Sequence, residues 1–144
     1  MKLRNLLCMT IPAGLALWGS LAVPAGSGFS FAFEPAEIRI HPASVGTARL
    51  NLKIEEPKAY IHEKAPMNVT VSGEGLVLTK ATWTRKDAIV REGGERARWL
   101  AFEVPVQAAK AGEYKLRARA AFYYCTSKVC LKEEVEAQAN VIAR

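Results

Sequence analysis

The chain has 144 residues, of which 50% are hydrophobic and 24% charged, with a formal net charge of +6 and three cysteines. That length suits one domain with its own apolar core. Its Lys and Arg are scattered among Asp and Glu, with a modest cluster at Arg85-Lys86 and Arg91 to Arg98. No aromatic and basic residues interleave as on a nucleic-acid surface. The charge reads first as a solvated face, and second as a place to dock an acidic partner.

The first segment, Met1-Lys2-Leu3-Arg4, carries two positive charges and no acid, and an apolar stretch follows from Leu6 to Val23. Pro12, Gly14 and Gly19 interrupt it, and small residues come after it at Ala22 to Ser27. Basic, then apolar, then small is the layout of a secretory signal peptide, here residues 1–25, with cleavage near Val23-Pro24-Ala25. An apolar stretch of about 18 residues can just span a bilayer, so an uncleaved anchor is the competing reading. Cleavage is favoured because no basic residue stops the stretch on its far side. Cys8 then leaves with the peptide, and without Lys2 and Arg4 the net charge drops by two, to about +4. The mature protein is expected outside the cytoplasm, in a periplasm or otherwise exported.

Residues 26–36, with Phe29, Phe31, Phe33 and Pro35, read as a lead-in linker or strand to a domain over 37–144. Glu37 to Ile40 is a first strand, stopped by His41-Pro42. Ala48, Leu50, Leu52 and Ile54 alternate with Arg49, Asn51 and Lys53, the period of two of a half-buried strand. Tyr60 to Pro66 reads as a loop, Met67 to Ser72 as a strand, Gly73-Glu74-Gly75 as a turn and Leu76 to Trp83 as a strand. Arg91 to Glu95 is a polar turn into the strand from Trp99 to Val106. No segment sustains a helical period over ten residues. About seven short strands at this spacing predict an all-β fold, an immunoglobulin-like antiparallel β-sandwich.

The C-terminal third is the most patterned part. Tyr114, Leu116, Ala118, Ala120, Phe122 and Tyr124 share a face against Lys115, Arg117 and Arg119. Val135, Ala137, Ala139, Val141 and Ala143 do the same against Glu134, Glu136, Gln138 and Asn140. Between the two lies Thr126-Ser127-Lys128-Val129, with Cys125 before it and Cys130 after it. The pattern predicts a β-hairpin with a cysteine pair across its neck, both cysteines on the outward face and within reach of a partner. In an exported protein two nearby thiols are expected to pair. Closing so short a loop stabilises by only about 2 kcal/mol. A domain of about 110 residues does not need that. The bridge is either a plain structural disulfide or a pair that exchanges with other thiols. Exchange needs a thiolate, which Lys128 between the cysteines or Arg119 on the same strand face would favour. Tyr123 falls outward beside Cys125, where it could shield the sulfur or form a docking surface.

The run Phe102-Glu103-Val104-Pro105-Val106, then Ala111-Gly112, then a strand ending Tyr123-Tyr124-Cys125 with Cys130 just beyond, resembles one family. It is similar to the N-terminal periplasmic domain of the thiol:disulfide interchange protein DsbD, the disulfide bond corrector family, over roughly Tyr60 to Ile142. The resemblance implies an immunoglobulin-like fold and an oxidoreductase activity. In that activity a cysteine pair passes electrons between a membrane reductase and periplasmic thioredoxin-like partners. It also implies that Cys125 forms mixed disulfides and Cys130 resolves them, with Tyr123, Tyr124 and Lys128 in support. Three details are this chain's own: four residues separate the cysteines where the family usually has five, Leu131 follows the second cysteine instead of proline, and Thr84 to Arg98, which matches the family's aromatic cap loop, has no aromatic residue.

The remaining residues point to no other chemistry. His62 and Met67 are copper-ligand types but stand far from the cysteines in sequence, so neither a metal nor a cofactor is expected. Trp83 and Trp99 read as core aromatics. No nucleophile with a His base, paired carboxylates or phosphate-binding Gly loop occurs, which argues against a hydrolase.

Overall fold

The computed structural model describes residues 28–93 and 96–144; the segment read as a signal peptide, Cys8 included, lies outside them. Twelve strands follow in chain order: β1 (Phe29–Phe33), β2 (Glu37–Ile40), β3 (Val45–Ile54), β4 (Tyr60–His62), β5 (Asn68–Ser72) and β6 (Leu76–Val77). Then come β7 (Thr82–Trp83), β8 (Val90–Glu92), β9 (Arg96–Ala97), β10 (Trp99–Ala108), β11 (Gly112–Cys125) and β12 (Cys130–Ala143). A 3-10 turn, Arg85–Asp87, separates β7 from β8.

Two sheets result. The first runs β1-β3-β10-β6, with β8 also against β10. The second runs β2-β12-β11-β4-β9; β5 also pairs with β11, and β7 pairs with β5. All pairings are antiparallel except β2 with β12, which is parallel over Asn140 to Ala143. This is an immunoglobulin-like β-sandwich, the fold class the strand pattern predicts. No helix among the described residues is long and apolar enough to cross a membrane.

Alternation builds the core. Leu50 and Leu52 of β3, with Leu100, Phe102, Val104 and Val106 of β10, meet Val69, Val71, Leu116, Phe122 and Val141 from the opposite sheet, all fully buried. Trp83 packs edge-on to Phe102, ring centroids 6.5 Å apart, and Phe29 packs edge-on to Phe122 at 5.4 Å. Such pairs add about 0.5–1.5 kcal/mol beyond their buried area. Pro105 sits mid-strand, in the interval between the β8 and β6 pairings of β10. A residue without an N–H is tolerated where the second edge is unpaired. Gly46 marks where β3 passes closest to β2, since a Cβ there would collide with the Ile40 side chain.

Several expectations need correction. Of the two readings of residues 26–36, linker or lead-in strand, Phe29–Phe33 takes the strand, paired with β3 with Phe31 opposite Leu52. Tyr60–His62, read as loop, is a strand on β11. The stretch Leu76 to Trp83 is two short strands in different sheets, because the chain crosses between layers at Leu78 to Ala81. The Trp83 ring nitrogen donates to the Lys80 carbonyl at 3.2 Å and fixes that crossing. Strands of two or three residues carry too little alternation to be legible. Trp99 is half-buried on the outer face of the first sheet, not in the core. Its ring nitrogen donates to Asn51 Oδ1 at 3.0 Å, and Lys53 and Arg49 approach the ring at 5.4 and 5.9 Å.

Two side chains set the loops and give tests. Arg98 donates to the carbonyls of Ala59 at 2.7 Å and of Ile54 and Glu56 at 3.1 Å, holding the turn between β3 and β4. Arg98→Ala is expected to cost about 1–3 kcal/mol in urea unfolding, since hydrogen bonds to charged groups each contribute at that scale. Asp87 accepts from the Thr84 backbone N–H at 2.8 Å and pairs with Lys80. The Lys80 hydrogen bond, then that backbone N–H, hold its carboxyl below the ordinary 3.8. The folded state therefore binds this proton less tightly than the unfolded chain does. Stability from Asp87 is present above about pH 4 and is lost as pH falls through the lowered value. Asp87→Asn should lower the urea midpoint at pH 7 and leave it nearly unchanged well below pH 3.

Candidate functional site

The hairpin has the predicted register. Leu116 lies opposite Ala139, Ala120 opposite Val135 and Cys125 opposite Cys130, fourteen pairs in all. Beyond the cysteines the chain reverses through Ser127-Lys128, closed by a hydrogen bond from Thr126 N to the Val129 carbonyl at 2.8 Å. Thr126 Oγ1 also accepts from the N–H groups of Lys128 and Val129, both at 3.3 Å. With Thr126 and Val129 hydrogen-bonded, Cys125 and Cys130 form the adjacent non-hydrogen-bonded pair, in which strands approach to about 4.5 Å. Their Cα atoms are 4.0 Å apart, and the two sulfurs are bonded.

The two cysteines differ in environment. Cys130 is exposed, whereas Cys125 retains only 2% of its accessible surface. The expectation that both are reachable fails for Cys125. The reason is β4: Tyr60 lies directly opposite Cys125 on the side away from Cys130, so β11 is paired on both edges here. Cys130 stands on an edge, because β2 covers β12 only from Asn140 onward. Val129 and Leu131 on either side of it are 51% and 48% exposed.

The supporting residues divide. Tyr123 is half-buried opposite Lys132. Tyr124 faces inward, edge-on to Phe29 with centroids 4.8 Å apart. Lys128 occupies the turn itself and is exposed. Arg119 does not serve the cysteines. Six residues along a strand is about 20 Å, and its guanidinium pairs with Glu134 at 3.1 Å and Glu136 at 3.7 Å. Met67 is in the core, and His62 Nδ1 accepts from the Lys64 N–H at 3.1 Å.

Sequence reasoning missed three neighbours. Lys132 shares the face of Cys130, two residues on, which parity alone could have revealed. Tyr60 and Arg96 come from β4 and β9, where Arg96 sits 5.0 Å from the centre of the Tyr60 ring. Nothing in the local pattern marks those two short strands.

Fold and site together define, among the described residues, an immunoglobulin-like domain with a disulfide bridging the neck of the β11–β12 hairpin. No family model matches the sequence, and no curated protein matches it. Solved structures of similar shape include WR4, an MSP family member of C. elegans, at TM-score 0.40 and 10% identity, covering 79% of this chain and 97% of that one. Another is PapD-like domain 7 of human CEP192, at TM-score 0.43 and 12% identity, with 100% and 96% covered. A third is AggA, the major subunit of aggregative adherence fimbriae type I from Escherichia coli, at 0.43 and 14%, with 81% and 93% covered.

Proposed function

We propose that the protein is an exported thiol–disulfide exchange module of the kind the DsbD N-terminal domain represents, passing electrons between a membrane reductase and thioredoxin-like partners. The observation that carries this reading is the asymmetry of the pair, one sulfur donor exposed on a strand edge between two exposed apolar residues and the other buried.

The chemistry follows from that asymmetry. A partner thiolate attacks Cys130 Sγ, the sulfur–sulfur bond breaks, and Cys125 leaves as a thiolate that takes up a proton. The partner's second thiolate then attacks its own sulfur in the mixed disulfide and releases Cys130. Two electrons have moved from the partner dithiol into the pair. This reverses the roles implied by the family resemblance, because attack needs access and Cys125 has almost none.

The alternative is a structural bridge in an interaction domain. A bridge closing so short a loop adds only about 2 kcal/mol, at the end of a hairpin already zipped by fourteen residue pairs. The deciding measurement is the reduction potential of the pair. Exchange predicts a value between roughly −120 and −270 mV, the span of known exchangers, and a structural bridge one below about −300 mV.

A further inference from the structure

A cavity of about 590 Å³ opens beside the disulfide turn. Its lining includes three cations, Lys58, Arg96 and Arg98, with Tyr60 and the hydroxyl residues Thr126 and Ser127, and no acidic residue. We propose that this cavity is an anion subsite that receives a carboxylate of the molecule exchanging with the Cys125–Cys130 pair. The proposal rests on the exchange reading above and names the chemistry of its partner.

Three observations carry it. Among the described residues, none of the three cations is in an ion pair. Arg98 gives three of its five N–H donors to backbone carbonyls, which carry no formal charge to balance its own. Lys58 is held there by an unfavourable backbone. The Ala59 N–H bonds back to the Glu56 carbonyl at 3.3 Å, and Lys58 has φ of 66°. After Pro57 this is the turn position that ordinarily takes Gly or Asn. Strained positions of this kind cluster at functional sites. Finally, the cavity adjoins the chemistry: Arg96 stacks on Tyr60, and Tyr60 lies directly opposite Cys125. Uncompensated guanidinium and ammonium groups beside hydroxyls suit a carboxylate through charge-assisted hydrogen bonds. The volume lies within the range of small-ligand sites, about 300–1,000 Å³.

The test compares the wild type with the double variant Lys58→Gln, Arg96→Gln, both exposed positions. Reduction of the disulfide is timed with mercaptosuccinate, which is anionic, and with neutral 2-mercaptoethanol. Two thiol equivalents become one disulfide as the cysteine pair gains two electrons. Each thiol is scored as its variant-to-wild-type ratio, which cancels its intrinsic reactivity. The mercaptosuccinate rate should fall about tenfold, the lower end of electrostatic steering, and the 2-mercaptoethanol rate should stay within about twofold. Succinate, which has no thiol, should shift the amide NMR signals of Tyr60, Thr126 and Ser127 in the wild type and not in the variant. Equal loss with both thiols, or no succinate shifts, overturns the proposal. A disulfide inert to both thiols with the succinate shifts intact overturns the exchange reading and supports the anion subsite. A third arm uses a reduced thioredoxin-like protein. Loss there too assigns the carboxylate to a protein partner, and loss confined to mercaptosuccinate assigns it to a small thiol.

Discussion

Leu116→Ala should lower the unfolding free energy by about 2–5 kcal/mol, read from urea denaturation, while Lys115→Ala should stay within about 0.5 kcal/mol. The two residues are neighbours in β11 and differ in the face they occupy. Leu116 is fully buried at the centre of the second sheet, opposite Ala139, and Lys115 is exposed. Truncating Leu116 removes its apolar contacts and leaves a cavity. The walls are close-packed strands of the two sheets, which relax only partly into the space. Truncating Lys115 removes a solvated side chain. Costs in the opposite order would mean that the hairpin is displaced by one residue, since a slip of one exchanges every face.

The hairpin was legible because it is long. Fourteen residues per strand repeat the alternation enough times for parity to emerge, and the two cysteines then fall opposite each other without further information. β3 and the strand from Trp99 were legible for the same reason. What alternation cannot supply is which strand lies beside which. Tyr60–His62 is three residues long and Arg96–Ala97 two, so neither shows a period, yet the first pairs with β11 at Cys125 and the second sets Arg96 against the Tyr60 ring. Arg119 illustrates the converse. Parity correctly put it on the outward face, but its partners Glu134 and Glu136 come from the neighbouring strand and hold it away from the cysteines. The site was therefore half visible: the bridged cysteine pair could be read from the sequence, and the difference in exposure between its two members could not.

That difference yields the second large effect. If Cys130 is the sulfur that meets partners, Cys125→Ser leaves an accessible thiol with no neighbour to resolve a mixed disulfide. Cys130→Ser leaves a thiol that is 2% exposed in the intact domain, behind Tyr60. Neither variant should unfold the protein, since losing the bridge costs about 2 kcal/mol and the fourteen-pair ladder remains. The comparison thus reports reactivity and not folding.

The most direct measurement offers each variant a thioredoxin-like protein carrying one active-site cysteine, activated as a mixed disulfide with thionitrobenzoate. The covalent complex is followed on non-reducing gels. Cys125→Ser should form it roughly tenfold or more faster than Cys130→Ser, as accessibility controls thiolate attack. Faster trapping by Cys130→Ser would contradict the assignment of Cys130 as the attacked sulfur, and no complex from either variant would contradict thiol–disulfide exchange itself.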